Sequence, residues 1–304
     1  MDKSTEHIKE KLRNRDRLIR VMTNNQHFRA TLIKNTTTAL TAQQNHKLSG
    51  IAAIYLARAL SGASLIASFL KGEERAIVEI QSSGLISKIY AEASQNGEVR
   101  GYLHLNTTES KIQVNHTDEL INDGILKVTR ILYDKSEPVT GVINVISGDI
   151  AADLTEYYDK SEQIPSAILM DVVLDDEQNI AHSSAFIVQA IPGYNLEELK
   201  LLLGTLSNNP SLSELFNKFN NFEEVFKSLL PFDFQITANQ PVDFFCRCSK
   251  EKFINAMFTL KYDEVMDMQK DGQNELVCQY CNKHYYLTDD DFEKIKLKIK
   301  SRTN

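Results

Sequence analysis

Four cysteines, Cys246, Cys248, Cys278 and Cys281, crowd into the C-terminal quarter of the chain, and the sequence holds no others. Such clustering marks a site. A tetrahedral zinc ion takes four ligands, with thiolates at about 2.3 Å, commonly as two close pairs separated by a longer excursion. Cys246-Arg247-Cys248 and Cys278-Gln279-Tyr280-Cys281 supply that arrangement. In an extended segment residues i and i+2 share a face, so Cys246 and Cys248, following the strand-like Val242-Asp243-Phe244-Phe245, can address one metal. The C-x-x-C pair sits in a turn between Leu276-Val277 and Tyr285-Tyr286-Leu287, a common knuckle spacing, whereas C-x-C is tighter than usual.

Other thiol chemistries compete with zinc. Two structural disulfides suit an oxidising compartment, but the opening Met1-Asp2-Lys3-Ser4-Thr5-Glu6 carries no apolar signal segment. A thiol oxidoreductase of thioredoxin type needs its C-x-x-C at a helix start within a βαβ pattern, and that context is missing here. His284 offers a substitute ligand in C-x-x-C-x-x-H, yet beside four cysteines it reads as a solvated neighbour. Zinc on Cys246, Cys248, Cys278 and Cys281 is the expectation.

The elements that must position these thiols follow from the rest of the chain. With 304 residues and 42% hydrophobic content, it can form one large or two to three small domains. A net charge of -7 and a pI near 5.6 oppose broad attraction to nucleic acid or to an anionic membrane. Arg247, Lys250, Lys252 and the lysine-rich end favour a zinc-ribbon nucleic-acid binder as the alternative. There is no G-x-S-x-G, Walker A, G-x-G-x-x-G or H-E-x-x-H pattern, so an enzyme is not expected. Gly50 to Leu70 is long enough to cross a bilayer, but Arg58 near its centre costs about 2.5–3.5 kcal/mol on insertion scales. Its Ala, Gly and Ser content suits a buried helix packed closely on a sheet, in a cytoplasmic protein.

Along the chain, a charged tail precedes strand candidates at 16–22 and 27–33, and a helical region runs from Thr36 to Leu70. Strands follow at 76–81, 86–91 and 98–105, with Asn96-Gly97 signalling a type I′ hairpin. After a polar excursion at 106–123 come strands at 124–133 and 139–145, a helix at 149–161, and strands at 167–174 and 180–191. The fold class is α+β: a mostly antiparallel sheet packed with helices, a helical linker, and a small C-terminal zinc domain held by four cysteines. Residues 1–192 form the core domain, 193–240 a metastable linker of three short helices, and 241–304 the zinc domain. Helices shorter than about 12–15 residues are marginal without packing, so this linker depends on its neighbours. Thr288 and Asp291 have capping-box spacing before a final helix whose Phe292, Ile295 and Ile299 share a face.

The metal should control more than its own domain. A core of some sixty residues rarely supplies more than about 3–5 kcal/mol, against an apparent ~10–16 kcal/mol from structural zinc. Each cysteine has a thiol neighbour within a few residues, and oxidants convert such thiols to sulfenic acid and then disulfide. Oxidation should expel zinc and unfold the tail, and the linker should loosen next.

Several stretches carry a family likeness: Leu70-Lys-Gly-Glu-Glu-Arg75, Gly97-Glu-Val-Arg-Gly-Tyr102, Ser147-Gly-Asp-Ile-Ala-Ala-Asp-Leu154, Ser161-Glu-Gln-Ile-Pro-Ser166, Phe245-Cys-Arg-Cys-Ser-Lys-Glu251 and Cys278-Gln-Tyr-Cys281. Together they resemble the bacterial redox-regulated heat-shock chaperonin family of about thirty-three kilodaltons, over nearly the whole chain. Asp149 stands where that family commonly has Glu. The resemblance implies an ATP-independent holdase, inactive while reduced and zinc-bound. It also implies that the four cysteines are the zinc ligands, and that oxidation joins Cys246 to Cys248 and Cys278 to Cys281. Members then expose apolar surface, dimerise, and bind unfolding client proteins.

Overall fold

The structure, a computed structural model, describes residues 15–106, 119–219 and 221–303. The charged tail lies almost wholly outside these residues, as does most of the polar excursion at 106–123. The chain divides into two compact units, Met1–Phe245 and Cys246–Asn304.

The first unit is built on two sheets. β1 (Arg17–Thr23) and β2 (Phe28–Lys34) form a hairpin that joins β8 (Ser166–Leu174), β9 (Ile180–Ala190) and β10 (Phe234–Pro241) in the order β10-β1-β2-β9-β8. β3 (Arg75–Gln81), β4 (Ile86–Ser94), β5 (Glu98–Leu105), β6 (Ile125–Ile131), β7 (Val139–Asn144) and the short β11 (Asp243–Phe244) form the second, ordered β11-β5-β4-β3-β6-β7. Pairing is antiparallel except between β11 and β5.

The expected single helical region is two helices, α1 (Thr36–His46) and α2 (Gly50–Ala67), because Lys47 and Gly50 take left-handed φ of 52° and 55° and break the run. α2 packs against strands of both sheets. Gly62 makes room for two neighbours: a Cβ there would stand 2.7 Å from Leu154 Cδ1 and 3.3 Å from Met170 Cε of β8. The one apolar residue run long enough for a membrane span among the described helices is therefore 78% buried inside the protein, and Arg58 pairs with Asp149 at 2.6 Å. The β4–β5 hairpin forms where Asn96-Gly97 predicts it, but its turn is not type I′. The Ser94 carbonyl accepts from the Gly97 N–H, and Gly97 alone takes positive φ, at 92°. The helix expected at 149–161 is α3 (Ile150–Tyr157), capped by Asp149 and continued by a π turn at Tyr158–Glu162.

Strand alternation gives the first sheet two apolar faces. Leu18, Ile33, Ala185 and Ile187 join the core around α2. Phe28, Ala30, Leu32, Phe186 and Val188 turn the other way, onto α4 (Leu196–Ser207), α5 (Leu212–Phe219) and α6 (Phe222–Leu229). These helices contribute Leu202, Leu206, Leu215, Phe216, Val225, Phe226 and Leu229 to that second core. Downstream of them, within the 193–240 stretch expected to be a helical linker, β10 pairs with β1 as an edge strand exposed at Gln235, Ile236, Thr237 and Asn239.

The second unit contains α7 (Lys250–Met257), α8 (Tyr262–Lys270), the hairpin β12 (Glu275–Val277) and β13 (His284–Tyr286), and α9 (Asp289–Thr303). Its core is small: Met257, Val265, Leu287, Phe292, Ile295 and Ile299.

Candidate metal centre

Each thiol pair is placed by local chain chemistry. Cys246 and Cys248 follow β11 in an irregular segment that ends at Ser249, the N-cap of α7, whose hydroxyl accepts from the Lys252 N–H at 3.3 Å. Cys278 and Cys281 occupy the turn of the β12–β13 hairpin. There the Cys278 N–H donates to the Lys283 carbonyl at 2.9 Å, and the Asn282 N–H donates to the Cys278 carbonyl at 2.7 Å. Asn282 takes the left-handed φ of 55° that this knuckle requires; Asn tolerates that region better than most residues.

The four Sγ atoms converge, all within 4.8 Å of one another. Cys246 lies 3.6 Å from Cys278, and Cys248 lies 3.4 Å from Cys281. A tetrahedron with metal–sulfur bonds of about 2.3 Å has edges of about 3.8 Å, so this spacing fits a four-thiolate metal site. All four are free thiols. Cys278 is buried, and the other three are half-buried. His284 is not in the cluster: its Nδ1 lies 2.7 Å from the Glu275 carboxylate on an exposed face.

Sequence reasoning passed over Tyr285. Its hydroxyl stands 3.2 Å from Cys248 Sγ and 3.1 Å from the Cys248 carbonyl, within hydrogen-bond reach of both. The ring is fixed by Phe253, with centroids 5.4 Å apart, and by Lys283 Nζ at 5.3 Å. Sequence spacing shows only that Tyr285 follows the knuckle; the link to Cys248 needs the fold.

The thiols are electrostatically unequal. Burial pushes the Cys246 and Cys281 thiols up. Burial works the same way on Cys248, but hydrogen bonds with Tyr285 and the other thiols outweigh it and hold this thiol below its ordinary value. Of these three, Cys248 ionises most readily, and the thiolate is the form that binds metals and attacks oxidants.

The predicted capping box is present. The Asp291 carboxylate accepts from the Thr288 N–H at 2.8 Å, and the Asp291 N–H donates to the Thr288 hydroxyl at 3.3 Å. The same carboxylate pairs with Lys250 at 2.6 Å, tying the first turn of α9 to the first turn of α7, which begins beside Cys248. Lys250, followed by Thr288, holds the Asp291 carboxyl well below the usual carboxylate range.

Comparison with known proteins agrees along nearly the whole length. The family model described as Hsp33 protein matches residues 16–288. A 33 kDa chaperonin of Lactiplantibacillus plantarum is 32% identical over 287 residues, covering 92% of this chain and 97% of the relative. One from Streptococcus agalactiae is 30% identical over 288 residues, covering 92% and 98%. The crystal structure of the 33 kDa chaperonin (heat shock protein 33 homolog) from Thermotoga maritima superposes with a TM-score of 0.83 at 26% identity, covering 95% of this chain and 99% of that one. The fold is that of the 33 kDa chaperonins, molecular chaperones, and the four clustered thiols could hold a metal ion. The chain belongs to the Hsp33 family.

Proposed function

We propose that this chaperone is a redox-gated, ATP-independent holdase whose switch is a zinc site formed by Cys246, Cys248, Cys278 and Cys281. The observation that carries the reading is the convergence of four free thiols within 4.8 Å, in a unit whose own apolar core is small. Bound zinc would supply a cross-link between the C-x-C segment and the hairpin, holding a fold that six buried apolar side chains support weakly. In this reading Cys246 and Cys248 form one disulfide, and Cys278 and Cys281 the other. Each bond consumes one hydrogen peroxide: two thiols lose two electrons and two protons, the O–O bond breaks, and two waters leave. Disulfide sulfur is a poor zinc ligand, so the ligand set is lost and residues 246–304 unfold.

The second half of the reading concerns residues 193–240, taken as a metastable linker. α5 and α6 have eight residues each, and α4 has twelve. Helices of such length depend on packing, here on the apolar face of the first sheet. Their release would uncover Phe28, Leu32, Phe186 and Val188, at present 0–2% exposed. A contiguous apolar sheet face of that kind suits unfolding client proteins, and pairing of two such faces would account for dimerisation on oxidation. A cytoplasmic location, where thiols stay reduced until stress, fits this chemistry.

The test is light scattering from a thermally unfolding protein, with this chain added reduced and metal-loaded or treated with peroxide at mildly raised temperature. Suppression of aggregation by the oxidised form alone supports the proposal. Equal suppression by both forms, or by neither while metal is released, overturns it.

A further inference from the structure

Tyr285 places its hydroxyl against the thiol cluster and reaches a single cysteine twice: 3.2 Å from Cys248 Sγ and 3.1 Å from the Cys248 carbonyl. Phe253 and Lys283 brace its ring from two elements, so the hydroxyl is held rather than free to swing. Groups that hydrogen-bond to a metal ligand orient it and tune its electron density. Once Cys248 is a thiolate, as a bound metal would hold it, ionisation is no longer at issue; the single hydroxyl proton then lies between two acceptors, Sγ and the carbonyl, and its share on sulfur draws density from the lone pairs that attack an oxidant. Contact with both the side chain and the backbone of the same residue fixes where that sulfur points.

We propose that Tyr285 is a positioning residue that restrains Cys248 against peroxide and thereby sets the oxidant threshold of the switch. This rests on the thiol-switch reading above and names a residue that governs its sensitivity. The restrained step is attack of Cys248 sulfur on hydrogen peroxide. An S–O bond forms, the O–O bond breaks, the departing oxygen leaves as water after taking a proton, and Cys248 becomes sulfenic acid. A neighbouring thiol then displaces that oxygen as a second water and forms the disulfide.

The neighbouring Tyr286 supplies an internal control. It lies on the same strand, but its hydroxyl donates to Glu275 at 2.9 Å.

The experiment uses the full, reduced, metal-loaded chain as wild type, Tyr285→Phe and Tyr286→Phe. Initial sulfenic acid formation at each cysteine is read by dimedone trapping and fragmentation mass spectrometry under limiting peroxide. Tyr285→Phe is expected to accelerate trapping at Cys248 about three- to tenfold, the span one hydrogen bond allows, while Tyr286→Phe leaves it unchanged. Fluorotyrosine at position 285, a stronger donor of the same shape, should slow trapping below wild type, an effect that simple loosening of the unit cannot produce. An unchanged Cys248 rate in Tyr285→Phe, or an equal rise at all four cysteines, overturns the proposal. Metal content and aggregation suppression of the wild type are measured alongside, so failure of the switch reading is seen separately from failure of the Tyr285 assignment.

Discussion

Glu198, in the first turn of α4, is held by the β1–β2 turn through both carboxylate oxygens: His27 Nδ1 lies 2.5 Å from one, and Asn25 Nδ2 donates to the other at 3.1 Å. The pair is only partly exposed. It is a polar anchor for a helix otherwise docked through leucines such as Leu202 and Leu206. Glu198→Ala should cost about 1 kcal/mol of local stability and speed amide exchange across 196–207 without affecting β1. Unchanged exchange in α4 would show that the leucines alone hold the helix.

Phe226 is the apolar counterpart of that anchor. It is 1% exposed, edge-on to Phe186 at 6.2 Å and tilted on Phe234 at 5.4 Å. Phe226→Ala should destabilise the packing of α4–α6 by about 3–5 kcal/mol, seen as a lower urea midpoint. If the proposed function holds, the variant suppresses aggregation at lower peroxide than wild type. A variant that is destabilised but needs more oxidant would separate helix release from chaperone activity.

Asp291 makes the second unit sensitive to acid. Its folded carboxyl is depressed by Lys250 and by the Thr288 cap, relative to an unfolded value near 3.8. A depressed carboxyl contributes stability that is fully present above the unfolded value and lost as pH falls through the folded one. The thermal midpoint of residues 246–303 should therefore drop below about pH 4. Asp291→Asn should remove about 1 kcal/mol at neutral pH, the scale of a lost cap, and flatten that acid dependence. Identical pH profiles for variant and wild type would rule out this carboxyl as the source.

Removal of metal should unfold the second unit while the central strands of the first stay folded. Chelation, or Cys278→Ser at the buried ligand position, should leave residues 246–303 unprotected in amide exchange while β2 and β9 keep theirs. Metal analysis of the purified wild-type chain should return one zinc per chain. Full protection of α7–α9 in the metal-free chain would mean that the small core suffices by itself.

Much of this molecule is legible in its sequence, and the legible part is short-range. The two cysteine pairs, the Thr288–Asp291 cap and the apolar face of α9 are set by spacing along a few residues, and they stand where periodicity puts them. Most strands of the first unit follow from alternation in the same way. Other features needed the tertiary structure. β10, at the edge of its sheet, pairs with β1 through backbone groups common to every sequence, so its partner is not written in its side chains. The break at Lys47–Gly50 rests on left-handed backbone at two residues, which side-chain pattern alone does not disclose. The contact of Tyr285 with Cys248, and of Glu198 with His27, joins residues far apart in the chain. Composition and spacing thus determined which groups could do chemistry; the closing of distant segments decided which of them meet, because side-chain proximity across a fold is set by packing and backbone ladders that no local pattern encodes.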